Sequence, residues 1–477
     1  MKKTGLFKII LFVLLGLVVT TWIFSASYFS EGTLAELGMY NIGFFDYFSL
    51  IFGTFEFSYF IQILLLLVSI GALYGVLGKT GKYRAWIEKI AKDNKGKEFL
   101  FLVIVSFVIA VLTSVFDYGF CLLIFFPLLI SIILAMGYDK VTALVATFGA
   151  MLVGTIGNIL GYNTSHVAAD LLSLNAADGL FYKIALFLGA YIVLMIFLSK
   201  AKKVKSTKET AEDDLFIGEK ISNKYSIVPI IVIFSVLFVL LILGCTNWET
   251  TFGVKFFANI NEKIMGFSPK LPYLHITTKG FDVGTQEVAI FAKIFGGATA
   301  FGQWYYSEMA VMCLVAALLI GRIYKVENRL EEMGNGMKKI LKPAFMVMMC
   351  YCVIYFAGNH MFFPTIASWL LKITSKFSVV IGSIVMALGS ALHVDFLYVA
   401  NYVIPQMAAK DSSAVTIALL SQSIYGVTMF AAPTSALLVF GLEYLKVPYT
   451  EWIKKTWKLI VSLLAVVLII LLIANYL

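Results

Sequence analysis

The sequence twice places an aspartate inside an otherwise apolar run, in Ser114-Val115-Phe116-Asp117-Tyr118-Gly119 and in Leu392-His393-Val394-Asp395. Nine residues separate each aspartate from a following proline, Pro127 in the first stretch and Pro405 in the second. The second pattern follows the first at one offset of 278 residues (395 − 117 and 405 − 127). Because a carboxylate is expensive inside a membrane, two at matched places predict a duplicated core whose halves meet at mid-membrane.

The composition is that of an integral membrane protein. Of the 477 residues, 60% are hydrophobic and 14% are charged, and the mean hydropathy is +0.91, whereas soluble domains are about half apolar and a quarter charged. The net charge of +9 is carried by short Lys and Arg clusters between apolar runs. It therefore indicates membrane topology, with the lipid bilayer as partner and no nucleic acid.

The cysteines lie in or beside apolar runs and show no metal-ligand spacing. They are Cys121, Cys245, Cys313, Cys350 and Cys352. We therefore expect neither a disulfide framework nor a metal site, and no cofactor. The sequence has no Walker-type glycine loop, which argues against direct use of ATP.

Spanning helices need about 20 mostly apolar residues. On that rule, clean spans are expected near 7–27, 54–78, 179–199, 226–244, 305–321 and 457–476. The first span follows Met1-Lys2-Lys3 and precedes Ser25-Ala26-Ser27, a pattern that also fits a cleavable signal. Because many spans follow, an uncleaved helix is the preferred interpretation.

The apolar stretches 98–174 and 340–445 are too long and too interrupted for simple spans. Each is predicted to form a module with a re-entrant helical hairpin and then a broken helix, since irregular backbone at that depth must line a cavity or be buried. The rest is assigned to scaffold helices at 1–97 and 175–339 and a final helix at 446–477. Within the scaffold, 200–224 is an expected cytoplasmic connector and 245–285 an extracellular segment.

Positive charge predicts the orientation, because Lys and Arg in short loops stay in the cytoplasm. Lys2, Lys3 and Lys8 place the amino terminus inside, and the segment 79–97 is inside as well. An inverted repeat, with the second hairpin entering from the opposite face, keeps every dense basic cluster inside. The prediction is a multi-pass protein of the cell membrane with an extracellular carboxyl terminus.

Asp117 and Asp395 are the first candidate site residues. A carboxylate at membrane depth costs about 2.5 to 3.5 kcal/mol on insertion scales, so each must face water, a partner or a substrate. The alternative is a hairpin-tip cap satisfied by backbone N–H groups. His393 lies two residues before Asp395 and could relay protons or form a structural pair with it.

The predicted breaks are the second group of candidates. Glycine and proline stop a helix, and a following Asn, Thr or Ser caps a new one. The candidates are Asn158, Asn163, Thr164 and Ser165 in the first half and Thr434 and Ser435 in the second. Freed N–H groups there can hold a carboxylate and freed carbonyls a cation, although such breaks also occur as plain kinks. His166 and Asp170 share a helix face. They could form a pair that supports the site residues from behind, but we prefer to interpret them as the outer end of that helix.

Several turn motifs are shared with a known family. They include Gly71-Ala72-Leu73-Tyr74-Gly75-Val76-Leu77-Gly78-Lys79-Thr80-Gly81, Gly137-Tyr138-Asp139, Trp304-Tyr305-Tyr306-Ser307-Glu308 and Val447-Pro448-Tyr449-Thr450-Glu451-Trp452. Together they resemble the YfcC-like family of the ion-transporter superfamily, whose relatives include arginine/ornithine exchangers, anaerobic C4-dicarboxylate carriers and aminobenzoyl-glutamate transporters. The resemblance implies an all-α elevator-type ion-transporter fold with scaffold and transport domains, often in a homodimer.

The function expected from these features is secondary active transport of a small charged metabolite. The segments 99–137 and 378–407 contain aspartates but no Lys or Arg, and an acidic cavity favours a cationic solute. Basic amino acid uptake or arginine/ornithine-type exchange is therefore preferred over a C4-dicarboxylate or other organic anion carrier coupled to Na⁺ or H⁺. A channel and an intramembrane enzyme are further alternatives, and we expect that the chain is not an enzyme.

Overall fold

The computed structural model describes residues 5–30, 32–203, 216–218, 225–410 and 412–476. Within these ranges the chain is mostly helical, which confirms the predicted polytopic all-α class. Lys2, Lys3 and most of the predicted connector 200–224 lie outside the described residues.

The amino-terminal part forms a helix, a small hairpin and three further helices. In chain order these are α1 (Leu6–Ile23), β1 (Ala26–Ser30), β2 (Thr33–Gly38), α2 (Phe44–Glu56), α3 (Ser58–Lys79) and α4 (Lys82–Asp93). The first predicted module follows as α5 (Glu98–Phe116), a 3₁₀ helix (Gly119–Ile124), α6 (Phe126–Ala135), α7 (Lys140–Leu144), a π-helical turn (Val145–Gly149), α8 (Ala150–Ile156), a second π-helical turn (Tyr162–His166) and α9 (Val167–Leu171).

The middle of the chain contains α10 (Leu180–Ser199), α11 (Val228–Cys245), α12 (Trp248–Phe252), α13 (Phe256–Met265), β3 (Lys270–Thr277), β4 (Gly280–Glu287), α14 (Ile290–Phe295) and α15 (Tyr306–Ile323). The second predicted module and the final helix comprise α16 (Arg329–His360), α17 (Phe363–Leu371), α18 (Val379–His393), α19 (Phe396–Ala408), α20 (Ala414–Ala431), α21 (Ala436–Tyr444) and α22 (Tyr449–Tyr476).

By length and composition, nine helical segments of the described ranges can cross a membrane. Six of them, α1, α3, α10, α11, α15 and α22, correspond to the predicted spans. The other three are α5, α16 and the pair α20 and α21. Because length does not tell a crossing from a re-entrant turn, the re-entrant hairpins, the opposite orientation of the modules and an elevator-type movement stay predictions.

Two antiparallel β-hairpins were not expected from the sequence. One joins β1 to β2 and the other joins β3 to β4, with Leu274 opposite Val283. The second hairpin lies in the segment that we predicted only as extracellular. The short alternation Leu274-His275-Ile276-Thr277 in β3 is the signal that could have indicated it.

Helices pack closely where glycines face one another. A side chain at Gly75 of α3 would lie 2.4 Å from the carbonyl oxygen of Glu332 on α16, and one at Gly336 would lie 2.1 Å from that of Gly71. Small residues allow such backbone approach between apolar helices. The two broken helices meet in the same way, since a side chain at Gly426 of α20 would lie 2.8 Å from the backbone nitrogen of Ile156.

Both predicted breaks are present as interruptions of helical structure. The first helix runs from Lys140 to Ile156 and resumes at Tyr162. The second ends at Ala431 and resumes at Ala436. Gly426 packs against Ile156 and lies a little more than one turn before the second break, which follows Ala431. The end of the first helix therefore lies beside the second broken helix. This contact brings residues from both halves of the chain to one place.

Candidate functional site

Asp117 ends α5 in the left-handed conformation, with a φ of 55°. The Thr164 hydroxyl donates a hydrogen bond of 2.8 Å to its Oδ2, and the side-chain amide of Asn163 donates one of 3.3 Å to its carbonyl oxygen. Both donors belong to the π-helical turn just after the first break. The carboxylate of Asp117, at the end of α5, is therefore held by the broken helix in the same half of the chain.

Asp395 is the N-cap of α19. Its Oδ1 accepts a hydrogen bond of 3.0 Å from the backbone nitrogen of Leu397, and its Oδ2 accepts one of 3.1 Å from the Tyr59 hydroxyl on α3. Asp395 thus caps a helix, which was the alternative to a binding role, and its side chain also lines a cavity. The preceding Val394 has a φ of 55°, an uncommon conformation for a β-branched residue.

Both aspartates line one cavity of about 740 Å³. Ligand pockets of proteins measure about 300 to 1,000 Å³, so this cavity has room for a small metabolite. Its wall combines α3, the end of α5, the turn after the first break, the start of α15, and residues of α19, α20 and α21. A smaller cavity of about 230 Å³ extends to the segment 302–304 and shares five lining residues with the larger one: Asp117, Tyr162, Asn163, Tyr305 and Tyr306.

The larger cavity is acidic and aromatic. Asp117, Asp170 and Asp395 line it together with His166, and its described lining contains no Lys or Arg. Seven tyrosines also line it: Tyr59, Tyr162, Tyr305, Tyr306, Tyr351, Tyr398 and Tyr425. Negative carboxylates and the faces of aromatic rings both attract cations.

The structure brings five of the predicted site residues to this cavity, Asp117, Asn163, Thr164, Asp395 and Ser435. The hydroxyl of Ser435 is buried without a partner among the described residues. Direct binding of a solute by these five residues stays a prediction.

Four predicted site residues lie behind the cavity wall. The amide oxygen of Asn158 accepts from the backbone nitrogen of Gly161 at 2.8 Å, and the Ser165 hydroxyl donates to the carbonyl oxygen of Asn158 at 2.9 Å. In the second half, the Thr434 hydroxyl donates to the carbonyl oxygen of Ala391 at 2.6 Å. These side chains hold the broken backbone in place.

His393 is the fourth of these residues. Its Nδ1 lies 3.0 Å from the carbonyl oxygen of Gly389, and its ring packs against Phe363 and Tyr402. Its Nε2 has no partner among the described residues. The Asp395 carboxylate is bonded instead to Tyr59 and Leu397, so the described contacts include no hydrogen bond between the two side chains of the hypothetical proton relay.

Sequence reasoning missed several residues of the site. His166 and Asp170, which we interpreted as an outer helix end, both line the cavity. Tyr305 and Tyr306, which the sequence showed only as part of a turn motif of the family, also line it. Lys183 of α10, which carried no sequence signal beyond a charge in an apolar run, is buried against the first break.

In the described ranges, no group of three or more His, Cys, Asp or Glu side chains is placed to hold a metal ion. The cysteines of these ranges are free thiols.

The broken helices of this polytopic helical protein line a polar cavity, and the family match identifies its class as membrane transporter. The chain belongs to the C4-dicarboxylate anaerobic carrier (DcuC) family, which matches it over residues 4–476. Together with a YfcC relative, this match confirms the resemblance seen in the sequence. Membership in a carrier family also agrees with the expectation that the chain is not an enzyme.

Two curated relatives are similar to this chain. An uncharacterized protein of Haemophilus influenzae is 21% identical over 433 residues, which are 88% of this chain and 75% of the relative. The putative basic amino acid antiporter YfcC of Escherichia coli is 22% identical over 164 residues, 34% of this chain and 32% of that protein. The match to YfcC therefore spans about a third of its length.

Two solved structures are similar over nearly the whole chain. MtrF of Neisseria gonorrhoeae, described as illuminating a class of antimetabolite efflux pumps, has a TM-score of 0.42 at 13% identity and covers 99% of this chain and 95% of its own. The YdaH transporter of Alcanivorax borkumensis has a TM-score of 0.44 at 13% identity and covers 98% of each chain. Scores below 0.5 define no residue-by-residue correspondence.

Proposed function

We propose that the protein is a secondary active transporter of the cell membrane that carries a basic amino acid by alternating access, as an uptake carrier or an arginine/ornithine-type exchanger. The observation that carries the proposal is the cavity between the two aspartate tips, whose described lining has three carboxylates and neither Lys nor Arg. The two modules would move against the remaining helices, and a homodimer is expected from the family resemblance.

Charge in the cavity supports a cationic solute. Asp117, Asp170 and Asp395 attract a guanidinium or ammonium group, and they repel an anionic solute. A cationic group placed over the face of one of the lining tyrosine rings would gain about 0.5 to 2 kcal/mol of cation–π attraction. A cationic side chain is therefore the part of a solute that this wall fits best.

The start of α21 supports the amino acid class. Ser435, Ala436 and Leu437 line the cavity, and the first N–H groups of a helix have no partner inside the helix. The partial positive charge of this end favours a carboxylate. One solute could therefore place its carboxylate against α21 and its cationic end against the aspartates.

A C4-dicarboxylate is the second candidate, because the family is described by that substrate class. Such a dianion would place two negative charges beside Asp117, Asp170 and Asp395. It would need bound protons or Na⁺ to offset that repulsion. The helix start at α21 could still hold one of its carboxylates.

Counterflow in proteoliposomes tests the proposal. Vesicles with purified protein are loaded with unlabelled arginine or ornithine, and labelled arginine is added outside. We expect transient uphill accumulation of label, whereas vesicles loaded with succinate and given labelled succinate should show none. Succinate counterflow without arginine counterflow would reject the proposal in favour of the dicarboxylate carrier.

Asp117→Asn links the activity to the cavity. It removes one charge, and we expect at least a ten-fold loss of arginine counterflow with normal membrane insertion. Asp93→Asn is the matched control, because Asp93 is exposed at the end of α4 and does not line the cavity.

A further inference from the structure

A buried ammonium group lies against the first helix break. Lys183 is the fourth residue of α10, and only 3% of it is exposed. Its Nζ donates hydrogen bonds to the Ser165 hydroxyl at 3.1 Å, the carbonyl oxygen of Ile159 at 3.3 Å and the carbonyl oxygen of Ala176 at 2.5 Å. Two of these three oxygens belong to the break and to the turn that follows it.

This placement is costly for a lysine. Lysines near the end of a spanning helix normally extend their charged group toward water, but here the ammonium is turned into the protein. It also lies in the first turns of α10, where the helix dipole disfavours a positive charge. The three oxygens around Nζ, two of them at the break and the turn that follows it, must offset both effects.

The close approach of α10 to the break is built into the backbone. A side chain at Gly157 would lie 2.3 Å from the backbone nitrogen of Phe187. Phe187 follows Lys183 by four residues and therefore lies on the same helix face. The glycine lets that face reach the break, and Lys183 lies one turn earlier on it.

The ammonium is also connected to the other half of the chain. The Ser165 hydroxyl accepts a hydrogen bond from Nζ of Lys183. Its oxygen lies 2.9 Å from the carbonyl oxygen of Asn158 and 3.2 Å from Oε1 of Gln422 on α20. The amide nitrogen of Gln422 donates to the same Asn158 carbonyl at 2.9 Å. Through Ser165, the ammonium is thus linked to both broken helices.

Side chains also donate hydrogen bonds to the carbonyl oxygens at the second break. The indole nitrogen of Trp452 donates to the carbonyl oxygen of Phe430 at 2.8 Å, and the Tyr449 hydroxyl donates to that of Ala431. Both donors come from α22, the helix that follows the second broken helix, as α10 follows the first. In the described chain, the oxygens at both breaks thus have donors from the next long helix.

In transporters, coupling cations bind to the free carbonyl and hydroxyl oxygens at the interruption of a broken helix. We infer that Lys183 is a tethered cation that occupies this place at the first break, so that the site needs no Na⁺. The consequence for transport rests on the proposed function: with Lys183 at the first break, movement of the solute would not require Na⁺ to bind there.

Thermal stability of purified protein tests the inference without any solute. Lys183→Ala keeps the acceptor oxygens and leaves room where the side chain was, so we expect a lower Tm that NaCl raises by several degrees over choline chloride of equal ionic strength, because a cation that binds only the folded form stabilises it. Lys183→Met fills the space without a charge, and its lower Tm should not respond to Na⁺. Wild type and Lys89→Ala, which alters an exposed lysine of α4, should show equal Tm in both salts.

Two results would overturn the inference: a Na⁺-specific rise in the Tm of the wild type as large as that of Lys183→Ala, or a Lys183→Ala variant with the same Tm in both salts. If Lys183→Ala does not fold, wild-type arginine counterflow decides, since it should be unchanged when choline replaces Na⁺ and a loss would reject the tethered cation. Failure of arginine counterflow in both salts, with the Na⁺ response of Lys183→Ala present, would reject the proposed solute and leave the inference standing.

Discussion

The hydroxyl of Thr164 donates a 2.8 Å hydrogen bond to Oδ2 of Asp117. The bond joins the tip after α5 to the turn that follows the first break, and the amide of Asn163 adds a second link to the carbonyl oxygen of the same aspartate. One carboxylate oxygen of Asp117 is therefore oriented by a side chain of the broken helix. The tip and the broken helix present their polar groups to the cavity as one unit.

Thr164→Val tests this link, because valine has nearly the same shape and no hydroxyl. Loss of a hydrogen bond to a charged group costs about 1.5 to 3 kcal/mol, and a mis-oriented carboxylate binds a cationic solute less well. We expect the initial rate of arginine counterflow to fall about ten-fold, equivalent to about 1.4 kcal/mol.

Thr164→Ser should recover most of that rate, since it restores the donor. Thr285→Val is the matched control, because Thr285 is exposed on β4 outside the cavity. Equal rates for Thr164→Val and wild type would show that the carboxylate needs no such support.

Tyr59→Phe tests the link between α3 and the second tip. The Tyr59 hydroxyl donates to Oδ2 of Asp395 at 3.1 Å, and its ring packs against Tyr306 and Tyr351. If the second module moves against α3, this bond must break in each cycle. Phenylalanine keeps the ring and removes the donor, so we expect exchange at saturating solute to become several-fold faster.

Tyr28→Phe is the control for that measurement, because Tyr28 lies exposed on β1. An exchange rate of Tyr59→Phe at or below that of the wild type would contradict a moving contact between Tyr59 and Asp395.

The sequence predicted those features that local chemistry determines. Hydropathy located six spans to within a few residues in most cases, because each span buries its own backbone polar groups. The last span begins at Tyr449 and not near 457, since its first two turns carry lysines that lowered the apolar signal. Glycine and proline likewise indicated the interruptions after Ile156 and Ala431.

The convergence of the cavity wall could not be predicted from one sequence. Tyr59, Tyr306 and Tyr425 come from three helices far apart in the chain, and each is unremarkable within its own apolar run. Lys183 likewise meets the break only because α10 packs against Gly157. Such contacts depend on tertiary packing, to which hydropathy and helix periodicity are blind.

Gly157→Ala tests that packing. The added methyl group would lie 2.3 Å from the backbone of Phe187, and backbone cannot move aside as a flexible side chain can. We expect α10 to be displaced from the break at a cost of about 1 to 3 kcal/mol or more, seen as a lower Tm of the purified protein.

Gly334→Ala is the matched control. Nothing lies within 4 Å of a side chain at Gly334 on α16, and alanine favours a helix over glycine by about 1 kcal/mol. Its Tm should equal or exceed that of the wild type. A Gly157→Ala variant as stable as Gly334→Ala would show that the contact with α10 is loose.

Asp139 makes the stability depend on pH at the start of the first broken helix. It is the N-cap of α7, where it accepts from the backbone nitrogen of Thr142 at 2.8 Å and from its hydroxyl at 2.6 Å, and its Oδ2 lies 3.0 Å from Nζ of Lys455 on α22. Burial by itself raises the pKa of the Asp139 carboxyl, but these hydrogen bonds outweigh burial and hold its pKa below the ordinary value of 3.8.

A carboxyl whose pKa is lower in the folded than in the unfolded state stabilises the fold above the unfolded pKa, and the effect is lost as pH falls through the folded pKa. Asp139→Asn keeps an N-cap residue but loses the charge that pairs with Lys455. We therefore expect the wild type to have a higher Tm than Asp139→Asn at pH 6 to 7, and the difference to shrink as pH falls below about 3.8. Asp93→Asn, which alters an exposed residue, is the matched control and should have the Tm of the wild type at pH 6 to 7. A constant gap between wild type and Asp139→Asn down to low pH would mean that the Asp139 charge does not stabilise the fold.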